Sequence, residues 1–242
     1  MATKYGPTIV TDGLVLCLDA ANTSSYSGSG TAWNDLIGGN TATKSGNASW
    51  NSSGWWEFRN VIDDGDHEYF SLNDSSNILK RNYETYTWSI EVWARLQDWG
   101  TTGNSPNAEN FIIGKTGWHG GIMQWYTSSS ISVNFRVHGT NSGESTDCSF
   151  GLTPTGNWYH FVAIYGDRTL KTYTNGVYKN TTSFSSPRII LYQDDNWRIA
   201  GYGTNYYRFN GDISIIRLYE GRELSATEVL QNYNANKGRY GL

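Results

Sequence analysis

The clearest pattern in the chain is an alternation of apolar and mostly polar positions between Thr87 and Leu96. One set of alternate residues is entirely apolar and consists of Trp88, Ile90, Val92, Ala94 and Leu96. The other set is Ser89, Glu91, Trp93 and Arg95. A period of two residues is typical of a half-buried β-strand, because successive side chains of a strand point to opposite faces. The segment from Ile131 to Val137 repeats the pattern and predicts a second such strand.

Turn signals and short apolar runs predict further strands. Asn175-Gly176 separates Thr169–Thr174 from Val177–Asn180, and Asn-Gly favours a two-residue hairpin whose central residues both need positive φ. Other short strands are expected at Gly13–Ala20, Trp55–Phe58, Glu68–Leu72, Asn157–Tyr165 and Gly211–Tyr219. The Ser-, Gly- and Asn-rich stretch from Asn22 to Ser53 is expected to be a long surface loop that Trp33 anchors.

One helix is expected at the C-terminal end of the chain. Ser225 and Glu228 have the spacing of a capping box, and Gly238 is a candidate helix stop. Val229, Leu230 and Tyr233 are expected to form its apolar face. The elements together predict an all-β protein in which two antiparallel sheets form a sandwich with a short C-terminal helix. We expect residues 1–12 to be an N-terminal arm that docks on a neighbour, and 13–242 to be a single sandwich domain.

Composition and charge limit the possible partners. Aromatic residues make up 15% of the chain and charged residues 17%, with 27 glycines, which suits short strands joined by turns. The net charge of −4 argues against nucleic acid, which requires a basic surface. No segment has the length and apolar character of a membrane span, so no membrane partner is expected. Cys17 and Cys148 are expected to be free thiols, with a single long-range disulfide as the alternative.

Four segments together resemble a known superfamily. They are GLVLCLDAANTSSYSGSGTAWNDL, WSIEVW, NWYHFVAIY with its Asn-Gly hairpin, and GDISIIRLYEGRELSATEVLQNYNANKGRYG. These segments are similar to the laminin-G-like branch of the concanavalin A-like lectin/glucanase superfamily, from about Gly13 to the end of the chain. The opening GLVLCLDAAN and the ending QNYNANKGRYG also resemble structural proteins of tailed bacteriophages. The resemblance implies a jelly-roll sandwich carried by a virion and made in the host cytoplasm, although fold alone does not fix function.

The residues argue against catalysis. A retaining glycosidase needs two carboxylates about 5 Å apart, and the Glu-x-Asp-x-x-Glu strand of the glucanases in this superfamily is absent. Glu91 is the only acid in its strand, and we expect it to form an ion pair with a neighbour such as Arg95. His160 is expected to be a packed core residue. We therefore predict that the chain is not an enzyme.

Two kinds of binding site are considered. The acidic turn with Asp63, Asp64, Asp66 and Glu68 is a weak candidate for a calcium site, and a solvated acidic turn is the alternative. No other cofactor is expected. Large rings among glycines make two loops candidate glycan sites, because sugars bind aromatic faces beside polar side chains. The candidate glycan-binding residues are Trp118, His119, Trp125, Tyr202, Asn205, Tyr206 and Tyr207.

Two functional hypotheses remain. In the first, the domain is a non-enzymatic virion structural protein, a capsid decoration or fibre component that contacts other capsid or tail proteins. In the second, it is a tail or fibre adhesin that binds host surface polysaccharide. A glycan depolymerase is a third and weaker alternative. A homo-oligomer is expected under either main hypothesis, although no residue specifies its symmetry.

Overall fold

The computed structural model describes residues 7–59, 67–73, 87–97, 109–115, 120–127, 130–139, 145–184, 188–189, 197–201 and 209–242. Most of this part of the chain is in β-strands. The strands are β1 (Leu14–Asp19), β2 (Ala32–Asn34), β3 (Thr41–Ser45), β4 (Ser49–Asn51), β5 (Trp55–Arg59), β6 (Tyr69–Asn73), β7 (Trp88–Leu96), β8 (Glu109–Lys115), β9 (Gly120–Thr127), β10 (Ser130–Gly139), β11 (Ser145–Leu152), β12 (Trp158–Gly166), β13 (Thr169–Thr174), β14 (Val177–Ser183), β15 (Arg188–Ile189), β16 (Trp197–Ile199) and β17 (Asn210–Glu220). They are followed by helix α1 (Ala226–Asn236) and a 3₁₀ turn (Lys237–Tyr240).

The strands form two antiparallel sheets. The first sheet has the order β14-β13-β12-β7-β17-β5-β4, and β1 pairs with the part of β17 that β5 leaves unpaired. The second sheet has the order β11-β10-β9-β8-β16-β6-β3-β2, with β15 added beside β10. Neighbouring strands such as β7 and β17 are far apart in sequence, as in sandwiches with long crossover connections. The predicted sandwich of two antiparallel sheets is confirmed.

The main core lies between the two sheets and confirms the predicted inward face of β7. Trp88, Ile90, Val92, Ala94 and Leu96 all belong to this core. The opposite face of β7 differs from the expectation, because Ser89, Glu91 and Trp93 are also buried. The C-terminal helix and residues before β1 cover this outer face and form a second, smaller apolar cluster there. The strand is therefore buried on both faces for most of its length.

The Asn-Gly hairpin is confirmed. Asn175 and Gly176 have φ values of 53° and 77°, and they join β13 to β14. A Cβ at Gly176 would lie 3.0 Å from Leu230 Cδ1 and 3.2 Å from Tyr233 Cδ1. Glycine is thus favoured both by the positive φ and by the close approach of the helix.

The expected loop from Asn22 to Ser53 was wrong in part. This segment contains the three short strands β2, β3 and β4. Their outward side chains are mostly polar, so the sequence pattern resembled a loop. On the inward side, Trp33 and Ala42 are fully buried in the main core. The anchor role of Trp33 is confirmed, and its ring packs on Trp56 and Phe70.

Helix α1 begins at the predicted capping box. The Ser225 side chain accepts a hydrogen bond from Glu228 N, and the Glu228 carboxylate accepts one from Ser225 N. The predicted apolar face was right for Val229, which is buried, and for Tyr233, which stacks on Trp93. It was wrong for Leu230, which is 45% exposed, and the second buried helix residue is Asn232. The α-helix ends at Asn236 with Lys237 as its C-cap, directly before the predicted stop at Gly238. A 3₁₀ turn follows and ends before Gly241.

The described part of the N-terminal arm packs on its own chain. Val10 is buried in the outer-face cluster, and its backbone N donates a hydrogen bond to Asn232 Oδ1 at 2.8 Å. Docking of the arm on a neighbour stays a prediction. Cys17 and Cys148 are both buried free thiols, and burial raises the pKa of each.

Candidate functional site

The outer face of the first sheet divides into two parts. Its upper part, around Glu91 and Tyr219, lies under helix α1. Its lower part, around Asp212, is bordered by the 3₁₀ turn, and there Trp55, Glu57, Arg95 and Gln97 are partly exposed and Arg59 is exposed. In the lower part, register pairs align side chains from four adjacent strands. Glu57 pairs with Asp212, Asp212 with Arg95, and Arg95 with Trp158. We call the outward residues Trp55, Glu57, Arg59, Arg95, Gln97, Trp158 and Asp212 the open cluster.

The centre of the open cluster is the Asp212 carboxylate. Its side chain is fully buried, and Arg95 Nε donates to Asp212 Oδ2 at 2.6 Å. Arg59 Nη2 lies 3.0 Å from the other oxygen, Oδ1. The two arginine side chains are themselves 26% and 45% exposed. The buried Asp212 carboxylate therefore pairs with both guanidinium groups, and it holds them near the protein surface.

Two tryptophans flank the guanidinium of Arg95. Its Cζ atom lies 5.4 Å from the ring centre of Trp55 and 5.3 Å from that of Trp158. The two indole rings meet edge to face with their centres 5.5 Å apart. Within the described ranges, Arg95 Nη1 and Nη2 donate to no protein atom. Arg95 is thus fixed by cation–π contacts with two tryptophans and by an ion pair, and its side chain is 26% exposed.

Close strand packing positions the Arg95–Asp212 pair. A Cβ on Gly211 would lie only 2.4 Å from the carbonyl oxygen of Arg95. Any larger residue would separate β17 from β7 next to the ion pair, so glycine is needed at this position.

Under helix α1, a second group of polar residues is fully enclosed. We call Glu91, His160, Arg217, Tyr219 and Asn232 the covered network. Arg217 Nη1 donates to Glu91 Oε1, and His160 Nε2 lies 3.2 Å from the same oxygen. Asn232 Nδ2 donates to Glu91 Oε2 at 2.8 Å and to the Tyr219 hydroxyl at 2.9 Å. Helix α1, through Asn232, therefore donates a hydrogen bond to the buried carboxylate of Glu91.

Burial and neighbouring charges shift the pKa values of groups in the covered network. Burial by itself raises the pKa of Glu91, but Arg217, His160 and Asn232 outweigh it and lower the pKa to about 2. Burial raises the pKa of the Tyr219 hydroxyl well above its ordinary value. Glu91 was expected to form an ion pair with a neighbour such as Arg95; the ion pair is confirmed, but its partner is Arg217. Residues four apart on one strand are roughly 13 Å apart, whereas Arg217 lies directly opposite Glu91 on β17.

The boundary between the two parts is formed by the C-terminal residues. Arg239 donates to both oxygens of Asp19, at 2.8 and 3.0 Å. The Tyr240 ring stacks on Trp93 with centres 4.3 Å apart and contacts Trp158 at 4.6 Å. Burial raises the pKa of Tyr240 to about 12. His160 is packed against Trp93, as expected for a structural histidine, with ring centres 4.9 Å apart.

Most of the predicted site residues lie outside the described residues. Among the glycan candidates, these are Trp118, His119, Tyr202, Asn205, Tyr206 and Tyr207. Trp125 is in β9, where its backbone pairs with Ser132 and Glu109. Of the calcium candidates, Asp63, Asp64 and Asp66 also lie outside the described residues. Glu68 is buried, and its carboxylate accepts a hydrogen bond from Arg59 N.

The open cluster was missed because its members are far apart in sequence. Trp55, Arg95, Trp158 and Asp212 meet only through the strand order β5-β17-β7-β12. The alternation in β7 did place Arg95 on the outer face. The outward position of Trp55 and Asp212 on their own strands could have indicated that each lies on the sheet surface. The strand order that brings them together cannot be read from one sequence.

Two features are absent from the described ranges. No helix there has the length and apolar character needed to cross a membrane. The same ranges contain no group of three or more His, Cys, Asp or Glu side chains arranged to hold a metal ion.

The sequence matches a known family. Residues 63–230 match the family described as concanavalin A-like lectin/glucanases superfamily. No curated protein sequence matches the chain.

Solved structures with a similar fold belong to longer proteins. The binding domain of botulinum neurotoxin serotype G superposes with a TM-score of 0.66 at 17% identity, over 91% of this chain and 50% of that one. The receptor binding domain of botulinum neurotoxin C/D mosaic serotype has a TM-score of 0.64 at 15% identity, over 91% and 51%. Trypanosoma rangeli sialidase in complex with sialic acid has a TM-score of 0.64 at 14% identity, over 98% and 36%. The chain spans about half of these proteins or less, and the likeness concerns the fold alone.

Proposed function

The chain belongs to the concanavalin A-like lectin/glucanase superfamily, and we propose that it is a non-enzymatic structural protein of a tailed-bacteriophage virion. In this proposal the lectin-like sandwich is a binding domain, and its partners are capsid or tail proteins. The virion setting is supported by the resemblance of the segments GLVLCLDAAN and QNYNANKGRYG to phage structural proteins. The protein would be made in the host cytoplasm and assembled as a homo-oligomer.

The observation that carries the non-enzymatic proposal is the state of the outer-face carboxylates. Glu91, Asp212 and Asp19 are each held by an arginine, namely Arg217, Arg95 and Arg239. General acid catalysis by a carboxyl requires a raised pKa, whereas the pKa of Glu91 is lowered to about 2. Glu91 is therefore a poor proton donor, which supports a binding role for this face.

The copy number of the protein in purified phage particles tests the virion proposal. Quantitative mass spectrometry against the major capsid protein gives this number directly. Hundreds of copies are expected for a capsid decoration protein, and a few to a few tens for a tail or fibre component. Absence from purified particles would contradict the proposal.

The second candidate is an adhesin that binds host surface polysaccharide. It is favoured by the open cluster, where aromatic rings lie beside fixed polar groups, a composition typical of sugar sites. Similar folds occur in a receptor binding domain of botulinum neurotoxin and in a sialidase that was solved with sialic acid.

Variants of Trp118 and Tyr206, two of the glycan-binding candidates from the sequence, test the adhesin hypothesis. Trp118→Ala and Tyr206→Ala are expected to abolish retention on host polysaccharide and to leave incorporation into particles intact. Loss of incorporation by folded variants would instead make these rings part of a subunit interface.

Incubation with host glycan is expected to release no reducing ends or unsaturated products, and their appearance would indicate a depolymerase.

A further inference from the structure

We propose that the open cluster is a subsite for an uncharged pyranose residue of a polysaccharide, with Trp55 and Arg95 as its main contacts. The inference rests on the adhesin candidate above and names its ligand class and a site on the outer face of the first sheet. Its residues are different from the loop residues that the sequence indicated.

The first argument is the rigid aromatic surface. Trp55 is partly exposed, and its Nε1 donates to Glu57 Oε1 at 3.2 Å, which fixes the ring. Trp158 supports it from the side and is itself in contact with Tyr240. A fixed indole offers a pyranose ring an apolar surface at little cost in side-chain entropy.

The second argument is the set of hydrogen-bonding groups around that surface. Arg95 has terminal nitrogens with no acceptor in the described part of the protein. Among the described residues, the side-chain amide of Gln97 makes one long contact, 3.5 Å from Nε2 to Asp212 Oδ2. Arg59 and Glu57 lie on the same face at the far side of Asp212. A sugar hydroxyl both donates and accepts, so donors and acceptors held a few ångströms apart can bind neighbouring hydroxyls.

The third argument concerns charge and selects an uncharged ligand. Two arginines, Arg59 and Arg95, face two carboxylates, Glu57 and Asp212, and the four charges cancel. An acidic sugar needs a cation that the protein leaves uncompensated. In the open cluster both guanidinium groups already have a carboxylate partner, so a carboxylate on the ligand gains little.

The size of the cluster favours a sugar over a protein partner. A stable protein interface covers about 800 Å² on each partner and would extend well beyond these residues. Within the described ranges, the open cluster spans four strands and is bordered on one side by the 3₁₀ turn with its Arg239–Asp19 ion pair. One or two pyranose units match such a surface better.

Affinity electrophoresis of the full chain tests the proposal. Native gels would contain an uncharged glucan, mannan or galactan, or the acidic polysaccharide alginate. We expect at least one uncharged polymer to retard the wild-type protein, and Trp55→Ala to weaken this binding roughly tenfold or more. Tyr178→Ala is the matched control, since Tyr178 is 50% exposed on β14 and lies away from the cluster. It is expected to bind as the wild type does.

Several results would overturn the proposal. These are no retardation by any uncharged polymer, retardation by alginate alone, and wild-type retardation of the folded Trp55→Ala variant. If Trp55→Ala does not fold, Arg95→Lys decides, because it keeps the charge but loses the planar fork. A tenfold weakening by this variant supports the proposal, and unchanged binding contradicts it. The copy number in phage particles is measured independently, so failure of the subsite and failure of the virion proposal are distinguishable.

Discussion

The outer face of the first sheet contains two arginine–carboxylate groups that have the same chemistry and opposite surroundings. In the covered network the side chains of Arg217 and Glu91 are 3% and 0% exposed. In the open cluster the carboxylate of Asp212 is equally buried, but Arg95 and Arg59 reach solvent. The difference is set by helix α1, which supplies Asn232 and Asn236 to the first group and does not reach the second.

One face of the sheet can thus contribute to stability in one part and to binding in another. A buried ion pair contributes little net stability but is costly to break, so it enforces a single arrangement of the elements that complete it. The covered network thus fixes where helix α1 and the arm around Val10 lie. The open cluster uses the same pairing to hold Arg95 and Trp55 ready at the surface, where binding benefits from preorganised groups.

The largest expected effect is loss of the buried carboxylate. Glu91→Gln leaves Arg217 buried without a counter-charge, and we expect the free energy of unfolding to fall by about 3–5 kcal/mol. Urea denaturation followed by tryptophan fluorescence measures this. The matched control is Asp212→Asn, where solvent reaches both arginines, and its expected cost is below about 2 kcal/mol. Equal losses would remove the distinction between the two groups.

The second prediction concerns pH. The pKa of Glu91 is lowered from 4.5 to about 2 in the folded protein. A lowered pKa stabilises the folded state at every pH above 4.5, and this contribution disappears as the pH falls from 4.5 towards 2. The stability difference between the wild type and Glu91→Gln should therefore shrink by about 3 kcal/mol over this range. Unfolding experiments at a series of pH values measure it, and a constant difference would show that another group dominates.

The third prediction tests the helix as the cover of the network. Asn232→Ala removes the donor to Glu91 and Tyr219 and the acceptor for Val10 N. We expect a loss of about 1–3 kcal/mol, because buried polar groups become unsatisfied. Gln97→Ala in the open cluster is the control and should change stability by less than about 0.5 kcal/mol. A neutral Asn232→Ala would mean that the helix is held by apolar contacts alone.

The smallest expected effect is at the start of helix α1. Ser225→Ala removes the side-chain cap of Glu228 N, and it should cost about 1 kcal/mol. Ser225→Gly should cost only a few tenths of that amount. Thermal unfolding compares the two variants, and an identical midpoint for the wild type and Ser225→Ala would show that the cap contributes nothing.

The elements defined by local pattern could be predicted from the sequence, whereas the site could not. The alternation in β7, the Asn175-Gly176 turn and the capping box at Ser225 depend on residues a few positions apart, and all three are confirmed. The strands within Asn22–Ser53 were missed because their outward residues are small and polar. The pairing of Glu91 with Arg217 and of Arg95 with Asp212 depends on which strand lies beside β7, and that follows from the whole fold.

The most direct test of the comparison is an NMR titration of the tryptophan side chains. The indole N–H signals, assigned through single Trp→Phe variants, would be followed in proton–nitrogen correlation spectra while an uncharged oligosaccharide is added. We predict that the signals of Trp55 and Trp158 move and that those of Trp93 and Trp56, buried under the helix and in the core, do not. Unchanged signals for Trp55 and Trp158, or movement of Trp93 alone, would contradict the assignment of binding to the open cluster.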